Sequence, residues 1–199
     1  MSTERAERPL RADARRNRER ILRTAREAFA TEGIGVPLDE IARRAGVGAG
    51  TVHRHFPTKE SLFEAVVVEH LGQLTRDARA ALEDDDAGSA FFSFVLRMTE
   101  EADAKQDLAE AVAGAGSRMG AAAEQLAADL REAFAELLAR AQEAGAVRTD
   151  VDAADAQAIV VGALSAQRRR ADAAHPGRVA ALVLDCLLPR GSGTGRRSP

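Results

Sequence analysis

The side chains best suited to binding an anion lie close together between residues 48 and 59. Arginine and lysine pair with phosphate oxygens, and histidine can donate a hydrogen bond to them. The basic residues of this segment are His53, Arg54, His55 and Lys59, and the small residues Gly48, Ala49 and Gly50 precede them. Their types predict contact with a phosphate backbone.

Two histidines in one short segment could also indicate a metal site. His53 and His55 are two residues apart, and on a helix such positions point about 200° apart, so they cannot share an ion. The sequence shows no phosphate-cradling glycine loop, metal-ligand cluster or nucleophile motif. We therefore expect no catalytic residue, no metal and no cofactor, and an enzyme is the disfavoured alternative.

Charge is distributed unevenly along the chain. Residues 1–60 carry 13 Arg or Lys against 9 Asp or Glu, whereas the remaining residues carry 15 against 22. A basic end on an acidic body is expected if only that end meets a polyanion, although a solvated arginine-rich helix would give the same pattern. Charge alone leaves both readings open.

The cellular compartment is suggested by what the sequence lacks. Cys186 is the one cysteine, so neither an intramolecular disulfide nor a cysteine metal cage can form. The first residues lack the apolar core of a signal peptide, and no apolar stretch approaches membrane-spanning length. We expect a cytoplasmic protein with no membrane partner.

Hydrophobic periodicity predicts helices along most of the chain. Apolar residues make up 45% of the 199 residues, and with no Trp or Tyr and only six Pro the composition favours helix over strand. An apolar stripe that ends before Gly33 is formed by Ile21, Leu22, Ala25, Ala28 and Phe29. We expect an all-α protein of about nine helices, with a disordered basic arm at residues 1–13 and a disordered tail at residues 190–199.

The segment LDEIARRAGVGAGTVHRHF, residues 38–56, has the spacing of a helix-turn-helix. Gly46 occupies the turn, and Ala42 is small where the two helices must cross closely. The residues predicted to close over the shared core are Ile41, Ala45, Val47 and Val52. This set of residue types at these offsets indicates a DNA-binding motif.

The second helix of this motif is predicted to turn one face outward. If Val52 points into the core, Gly50 and Arg54 lie near the opposite face, and Thr51 and His53 flank them. His55 is as well placed to pack against the helices as to touch phosphate. Lys59 adds positive charge beside the start of the next helix, where a phosphate is already favoured.

Six further helices are predicted after Pro57. The first is long, has Thr58 as its N-cap and buries Leu62, Phe63, Val66, Val67, His70, Leu71 and Leu74. The others are centred on residues 90–102, 106–115, 120–145, 152–170 and 177–189. The last has a broad apolar face that needs cover from its own domain, from a second subunit or from both.

Several large apolar residues of these later helices could line a ligand cavity or simply fill a core. They are Phe91, Phe94, Met98, Met119 and Phe134. Such side chains make adaptable apolar walls, so any ligand they hold is expected to be largely apolar.

The sequence GVGAGTVHRHFPTKESLFEAV at residues 46–66 resembles the signature of the TetR family of bacterial repressors. The resemblance covers residues 14 to about 70. It implies a three-helix DNA-binding domain at residues 14–60 and a helical ligand-binding and dimerisation domain at residues 61–189. It also implies a homodimer that uses the last two long helices to pair. The expected function is a repressor that binds a palindromic operator in double-stranded DNA and is released by a small apolar effector, with an effector-free DNA-binding module as the alternative.

The DNA contacts implied by this resemblance depart from the family pattern at two positions. Gly48 stands where the family commonly has Ser, and His53 stands where it commonly has a phosphate-contacting Tyr. Because the first turn of the recognition helix offers few side-chain hydrogen bonds, readout is expected to depend on Arg54, on Thr51, on arginines of the arm in the minor groove and on DNA shape. The expected DNA-binding residues are Arg15, Arg16, Gly48, Ala49, Gly50, Thr51, His53, Arg54, His55 and Lys59.

Overall fold

The computed structural model describes residues 3–103, 120–170 and 178–189, and within these ranges the protein is all-α. This confirms the predicted fold class. The helices are α1 (Thr3–Glu32), α2 (Leu38–Ala45), α3 (Ala49–His55), α4 (Lys59–Ala81), α5 (Ala87–Asp103), α6 (Ala121–Glu143), α7 (Ala153–Arg170) and α8 (Arg178–Leu187). The helix predicted around residues 106–115, the side chain of Met119 and the predicted tail at residues 190–199 lie outside the described residues.

Helix α1 buries the apolar stripe expected from its sequence. Ile21, Leu22, Ala25, Ala28 and Phe29 are all buried. The helix ends at Glu32, where Gly33 takes a φ of 78° and its N–H donates to the Phe29 carbonyl at 3.1 Å. A left-handed residue of this kind costs glycine little, which explains the stop.

The beginning of α1 differs from the sequence prediction. The helix starts at Thr3, so the backbone is helical through most of residues 1–13, where a disordered basic arm was expected. The segment is rich in Glu, Arg and Ala, which have high helix propensity, and its charges of both signs suit a helix as well as a solvated coil. The prediction rested on the arginine content of the segment and gave too little weight to helix propensity.

The helix-turn-helix buries a small core that α1, α2 and α3 share, since each of these helices packs against the other two. Ile41, Ala42, Ala45 and Val52 are buried, as predicted, whereas Val47 in the turn is only half-buried. Gly46 takes a φ of 64°, and its N–H and the N–H of Val47 satisfy carbonyls at the end of α2. This backbone requirement explains glycine at the turn.

Helix α4 begins with a reciprocal cap. The Ser61 N–H donates to Thr58 Oγ1 at 3.1 Å, and the Thr58 N–H donates to Ser61 Oγ at 3.2 Å. This arrangement satisfies donors that a helix start leaves unpaired, and it confirms Thr58 as the N-cap. The buried side of α4 contains Leu62, Val66, Val67, Leu71 and Leu74, whereas the expected Phe63 and His70 are half-buried.

The described residues divide into two compact units. The first contains residues 3–72 and 120–126, and the second contains residues 73–103, 127–170 and 178–189. The first unit therefore includes the beginning of α4, which the sequence prediction assigned to the second domain. The division falls directly after Gly72, within α4.

In the second unit, α7 and α8 pack against each other and α5 packs against both. Phe91, Phe94 and Val95 of α5 are buried, as are Leu137 and Leu138 of α6. The end of α8 is tied to the segment before α7, because the Arg148 N–H donates to the Leu187 carbonyl at 3.0 Å.

Candidate nucleic-acid interface

The recognition helix of the motif is α3, and its start is set by the turn before it. Gly48 is the N-cap, with φ −66° and ψ 142°, and its carbonyl accepts hydrogen bonds from Thr51 N–H at 2.8 Å and Val52 N–H at 3.3 Å. No side chain caps this end. The helix ends where the Phe56 N–H donates to the Val52 carbonyl at 2.8 Å.

One face of α3 is anchored in the core and the other is exposed. Val52 is buried against α1 and α2, whereas Gly50 and Arg54 are exposed, as their helical spacing predicted. A Cβ atom placed on Gly50 would meet no atom within 4 Å, so the first turn of α3 presents its backbone to open space. The remaining residues of this face are the exposed Gly48, Ala49 and His53 and the half-buried Thr51 and His55.

Arg54 has the positive charge on α3 that is most accessible to a DNA partner. Its side chain is exposed, and it forms no hydrogen bond or ion pair within the described ranges. A guanidinium in this state can pair with a guanine edge or a phosphate without breaking an existing contact.

His53 makes a contact that the sequence did not predict. Its Nε2 atom lies 3.4 Å from Oδ1 of Asp39 in α2, and both side chains remain exposed. Asp39 precedes His53 by 14 residues, so no local spacing signals the pair. Asp39 also lies in the first turn of α2, where an acidic residue favours the helix dipole.

Lys59 also has a contact within the protein. Its Nζ atom donates to the Gly35 carbonyl in the loop between α1 and α2 at 3.4 Å, and the side chain is half-buried. The charge therefore lies beside both the loop and the start of α4. This position suits a phosphate contact, and the hydrogen bond to Gly35 also stabilises the loop.

The two arginines of α1 that were expected to reach DNA are exposed and form ion pairs within their own helix. Arg15 Nε lies 3.1 Å from Glu19, and Arg16 contacts Asp13. One turn after Arg15, the guanidinium of Arg18 lies 5.5 Å from the ring centre of Phe56, the residue that ends α3. Arg18 was not selected from the sequence, because nothing local signals a contact across 38 residues.

Both arginines of α2 form ion pairs within the protein. Arg43 donates two hydrogen bonds to Glu40, at 2.7 and 2.8 Å, and Arg44 Nε donates to the same carboxylate at 2.6 Å. These hydrogen bonds, from Arg43 first and then Arg44, lower the pKa of Glu40 to about 2. Arg44 also pairs with Glu32 and lowers the pKa of that carboxyl. The free basic groups of the motif are thus on α3, not on α2.

The residues expected to line a ligand site behave in the structure mainly as core residues. Phe91, Phe94 and Phe134 are buried, and the rings of Phe91 and Phe134 lie 5.7 Å apart. Met98 is half-buried. The structure therefore brings Phe91 and Phe134 together in the second unit.

Neither a metal site nor a membrane-spanning helix is found among the described residues. No group of three or more His, Cys, Asp or Glu side chains there could hold a metal ion. Within the same ranges, no helix has both the length and the apolar character needed to cross a membrane.

Comparison with known proteins covers both units. Residues 21–66 match the family described as bacterial regulatory proteins of the tetR family. Residues 86–189 match the family described as the C-terminal domain of SbtR-like transcriptional regulators. An HTH-type transcriptional regulator of Staphylococcus aureus (strain USA300) is 38% identical over 63 residues, which are 31% of this chain and 34% of that protein. The chain thus matches about a third of the length of these curated relatives.

Solved structures extend the similarity to most of the chain. A TetR transcription regulatory protein from Mycobacterium vanbaalenii is 44% identical, with a TM-score of 0.69, and the match covers 90% of this chain and 99% of that one. A TetR transcriptional regulator from Streptomyces coelicolor is 32% identical, with a TM-score of 0.65, over 86% of this chain and 98% of that one. Together with the exposed recognition helix, these matches identify the chain as a member of the TetR family of DNA-binding transcriptional regulators.

Proposed function

We propose that the protein is a repressor that binds a palindromic operator as a homodimer and is released by a small, largely apolar effector. The observation that carries the proposal is the exposed face of α3, where Arg54 is unpaired among the described residues and Gly50 leaves the backbone uncovered. One side of this helix is fixed in the core, and the other side carries an unpaired arginine and little side-chain bulk in its first turn. Such a helix fits the major groove.

The proposed DNA contacts divide into two kinds. Arg54 and Thr51 read base edges, Arg54 through guanine and Thr51 through a thymine methyl group. The other contacts position the protein on the phosphate backbone or allow close approach, and they come from Arg15, Arg16, Gly48, Ala49, Gly50, His53, His55 and Lys59. With so few base-reading side chains, the shape and deformability of the DNA contribute much of the sequence preference.

Dimerisation through α7 and α8 is supported by apolar side chains, in α8 and directly after it, that are uncovered in a single chain. Leu182 is 51% exposed and Leu188 is 45% exposed, whereas Leu187 is fully buried. A two-fold pairing of these helices with their copies would remove the exposed leucines from water. The dimer would then present two α3 helices to half-sites about one helical turn apart, or a multiple of it.

Effector binding is supported by the apolar residues of the second unit. Phe91, Phe94 and Phe134 are buried, and with the half-buried Met98 of α5 they would form apolar walls if the second unit opened around a ligand. Release from DNA requires that the ligand bind one conformation of the dimer more tightly than the other. Gly72 in α4, where the two units divide, is the proposed point of flexibility.

The test begins with the full chain and a pool of random-sequence duplexes. Repeated selection for bound DNA should yield a site with dyad symmetry, and light scattering at micromolar concentration should give the mass of a dimer. A reporter gene placed behind the selected site should fall in expression when the protein is present. A monomer in solution or a selected site without symmetry would contradict the dimeric repressor, and rising expression would contradict repression.

The effector is tested separately by screening small apolar compounds in thermal unfolding of the purified protein. Compounds that raise the unfolding temperature should also weaken binding to the selected duplex. Stabilising compounds that leave DNA affinity unchanged would contradict release by an effector and favour the effector-free module.

A further inference from the structure

We infer that Asp39 positions His53 to bind a DNA phosphate as a cation, so that DNA binding takes up a proton at each recognition helix. The inference depends on the proposed DNA contact of α3. The juxtaposition that carries it is the 3.4 Å separation between His53 Nε2 on α3 and Asp39 Oδ1 on α2.

The pair lies on the surface, where DNA can reach it. The side chain of His53 is 51% exposed and that of Asp39 is 77% exposed. His53 lies between the buried Val52 and the exposed Arg54, so its side chain flanks the outer face of α3. In the described part of the chain, Nδ1 of His53 has no hydrogen-bond partner.

The number of N–H groups on the His53 ring explains why DNA binding would take up a proton. A neutral imidazole has one N–H, whereas phosphate and carboxylate oxygens only accept hydrogen bonds. If the Nε2–H faces Asp39, Nδ1 carries a lone pair that a phosphate oxygen would avoid. When a proton from solvent binds Nδ1, the ring can donate to Asp39 through Nε2 and to the phosphate through Nδ1.

The charge of Asp39 leads to the same conclusion. A carboxylate this exposed beside the DNA-binding face would repel phosphate, unless a cation lies between them. Protonated His53 provides that cation and leaves the pair neutral. Asp39 thus acts through His53 as a positioning residue and has no favourable contact of its own with DNA.

Other charged and titratable groups lie on the helices around His53. They include Arg18 of α1, Glu40, Arg43 and Arg44 of α2, Arg54 and His55 of α3, and Lys59 and Glu60 of α4. Arg43 and Arg44 are neutralised by Glu40 and Glu32. Asp39 is the one carboxylate among the described residues that contacts the ring. In the proposed complex, DNA phosphates add further negative charge that favours the protonated ring.

The experiment measures DNA affinity by fluorescence anisotropy from pH 5.5 to 8.5 at constant ionic strength. The probes are a random-sequence duplex of about two helical turns and a duplex selected for tight binding. Because histidine changes charge in this range, wild-type affinity should fall as pH rises, by at most about tenfold per pH unit for each proton taken up. Circular dichroism at each pH confirms that every variant stays folded.

Variants of His53 separate the contact from its protonation. His53→Gln should bind with a flatter pH profile than wild type. His53→Tyr keeps a phosphate donor that does not titrate in this range, so it should retain binding and show the same flatter pH profile as His53→Gln. His70→Gln, which removes a histidine outside the proposed interface, should keep the wild-type slope.

Variants of Asp39 test its positioning role. Without the carboxylate the imidazolium is less favoured, so Asp39→Asn should move the fall in affinity to lower pH, and Asp39→Glu should restore it. A purely structural role would change affinity by the same factor at every pH. Equal slopes in wild type and His53→Gln, or a pH-independent effect of Asp39→Asn, would overturn the inference while DNA binding stands. Failure of the wild type to bind either duplex at any pH would overturn the proposed function, and the inference with it.

Discussion

The guanidinium of Arg44 in α2 pairs with the carboxylate of Glu32, the last residue of α1, and its Nη2 atom donates to Glu32 Oε2 at 3.0 Å. The same side chain donates to Glu40 one turn earlier on α2. The end of α1 and the last turn of α2 are therefore joined at the surface. This bridge helps hold α2 against the end of α1.

Acid should weaken the fold through Glu40. Its pKa is lowered from 4.5 to about 2 by hydrogen bonds from Arg43 and Arg44, so the carboxylate contributes stability above about pH 4.5 and loses it as pH falls towards 2. Glu40→Gln should lower the unfolding temperature at neutral pH, and its difference from wild type should shrink between pH 4.5 and 2.5. The exposed Glu143→Gln serves as the control. A difference that stays constant with pH would show that the ion pairs do not stabilise the domain.

The short-range features of this domain could be predicted from the sequence because each depends on neighbouring residues. The stripe of α1 follows from a repeat of three and four residues, and the Thr58 cap follows from its place before an apolar run. The inward Val52 and outward Arg54 follow from the rotation of 100° per residue alone.

Two isoleucines of the first unit offer a matched test of the core. Ile41 is fully buried, whereas Ile34 in the loop after α1 is 53% exposed. Ile41→Ala should reduce the free energy of unfolding by about 2–5 kcal/mol, because it leaves a cavity between the helices. Ile34→Ala should change it by less than about 0.5 kcal/mol. Urea unfolding of both variants measures the difference, and similar losses would mean that the core is assigned to the wrong residues.

Two glycines of the motif should respond in opposite ways to the same substitution. Gly46 has a φ of 64°, so Gly46→Ala should cost about 1–2 kcal/mol of stability. Gly50 is helical with open space at its Cβ position, so Gly50→Ala should be neutral or stabilising by up to about 1 kcal/mol.

DNA binding separates the two glycines further. If the backbone at Gly50 approaches the groove closely, Gly50→Ala should weaken DNA binding even though the variant is at least as stable as wild type. Anisotropy measured beside thermal unfolding tests this. A stable Gly50→Ala protein with full affinity would show that the first turn of α3 does not approach DNA closely.

The long-range contacts could not be predicted from the sequence, because tertiary packing alone creates them. Asp39 and His53 are 14 residues apart, and Arg18 meets Phe56 across 38 residues. Arg26 of α1 likewise pairs with Glu69 of α4 at 2.8 Å. Periodicity places each of these residues on a helix face but does not say which face of another helix it meets. The start of α1 was missed for another reason, since an arginine-rich segment was expected to be disordered and its helix propensity was not considered.

Lys59 should affect affinity without affecting sequence preference. It is placed to contact a phosphate, so Lys59→Ala should weaken binding to all duplexes and reduce the salt dependence by about one unit of slope. Because its Nζ atom also donates to the Gly35 carbonyl, a small loss of stability should accompany the change. Anisotropy over a series of salt concentrations measures the slope. An unchanged slope would place Lys59 away from the DNA.

The measurement that tests the central claim most directly compares two exposed arginines. Arg54 lies on the outer face of α3, and Arg131 lies on α6 in the second unit, so Arg54→Ala and Arg131→Ala remove the same charge from the two units. In anisotropy with a selected duplex and a random one at moderate salt, Arg54→Ala should lose about 1–3 kcal/mol of binding to the selected duplex and relax its preference over the random one. Arg131→Ala should bind both duplexes as wild type does. Equal affinities for the two variants would contradict the assignment of α3 as the helix that reads DNA.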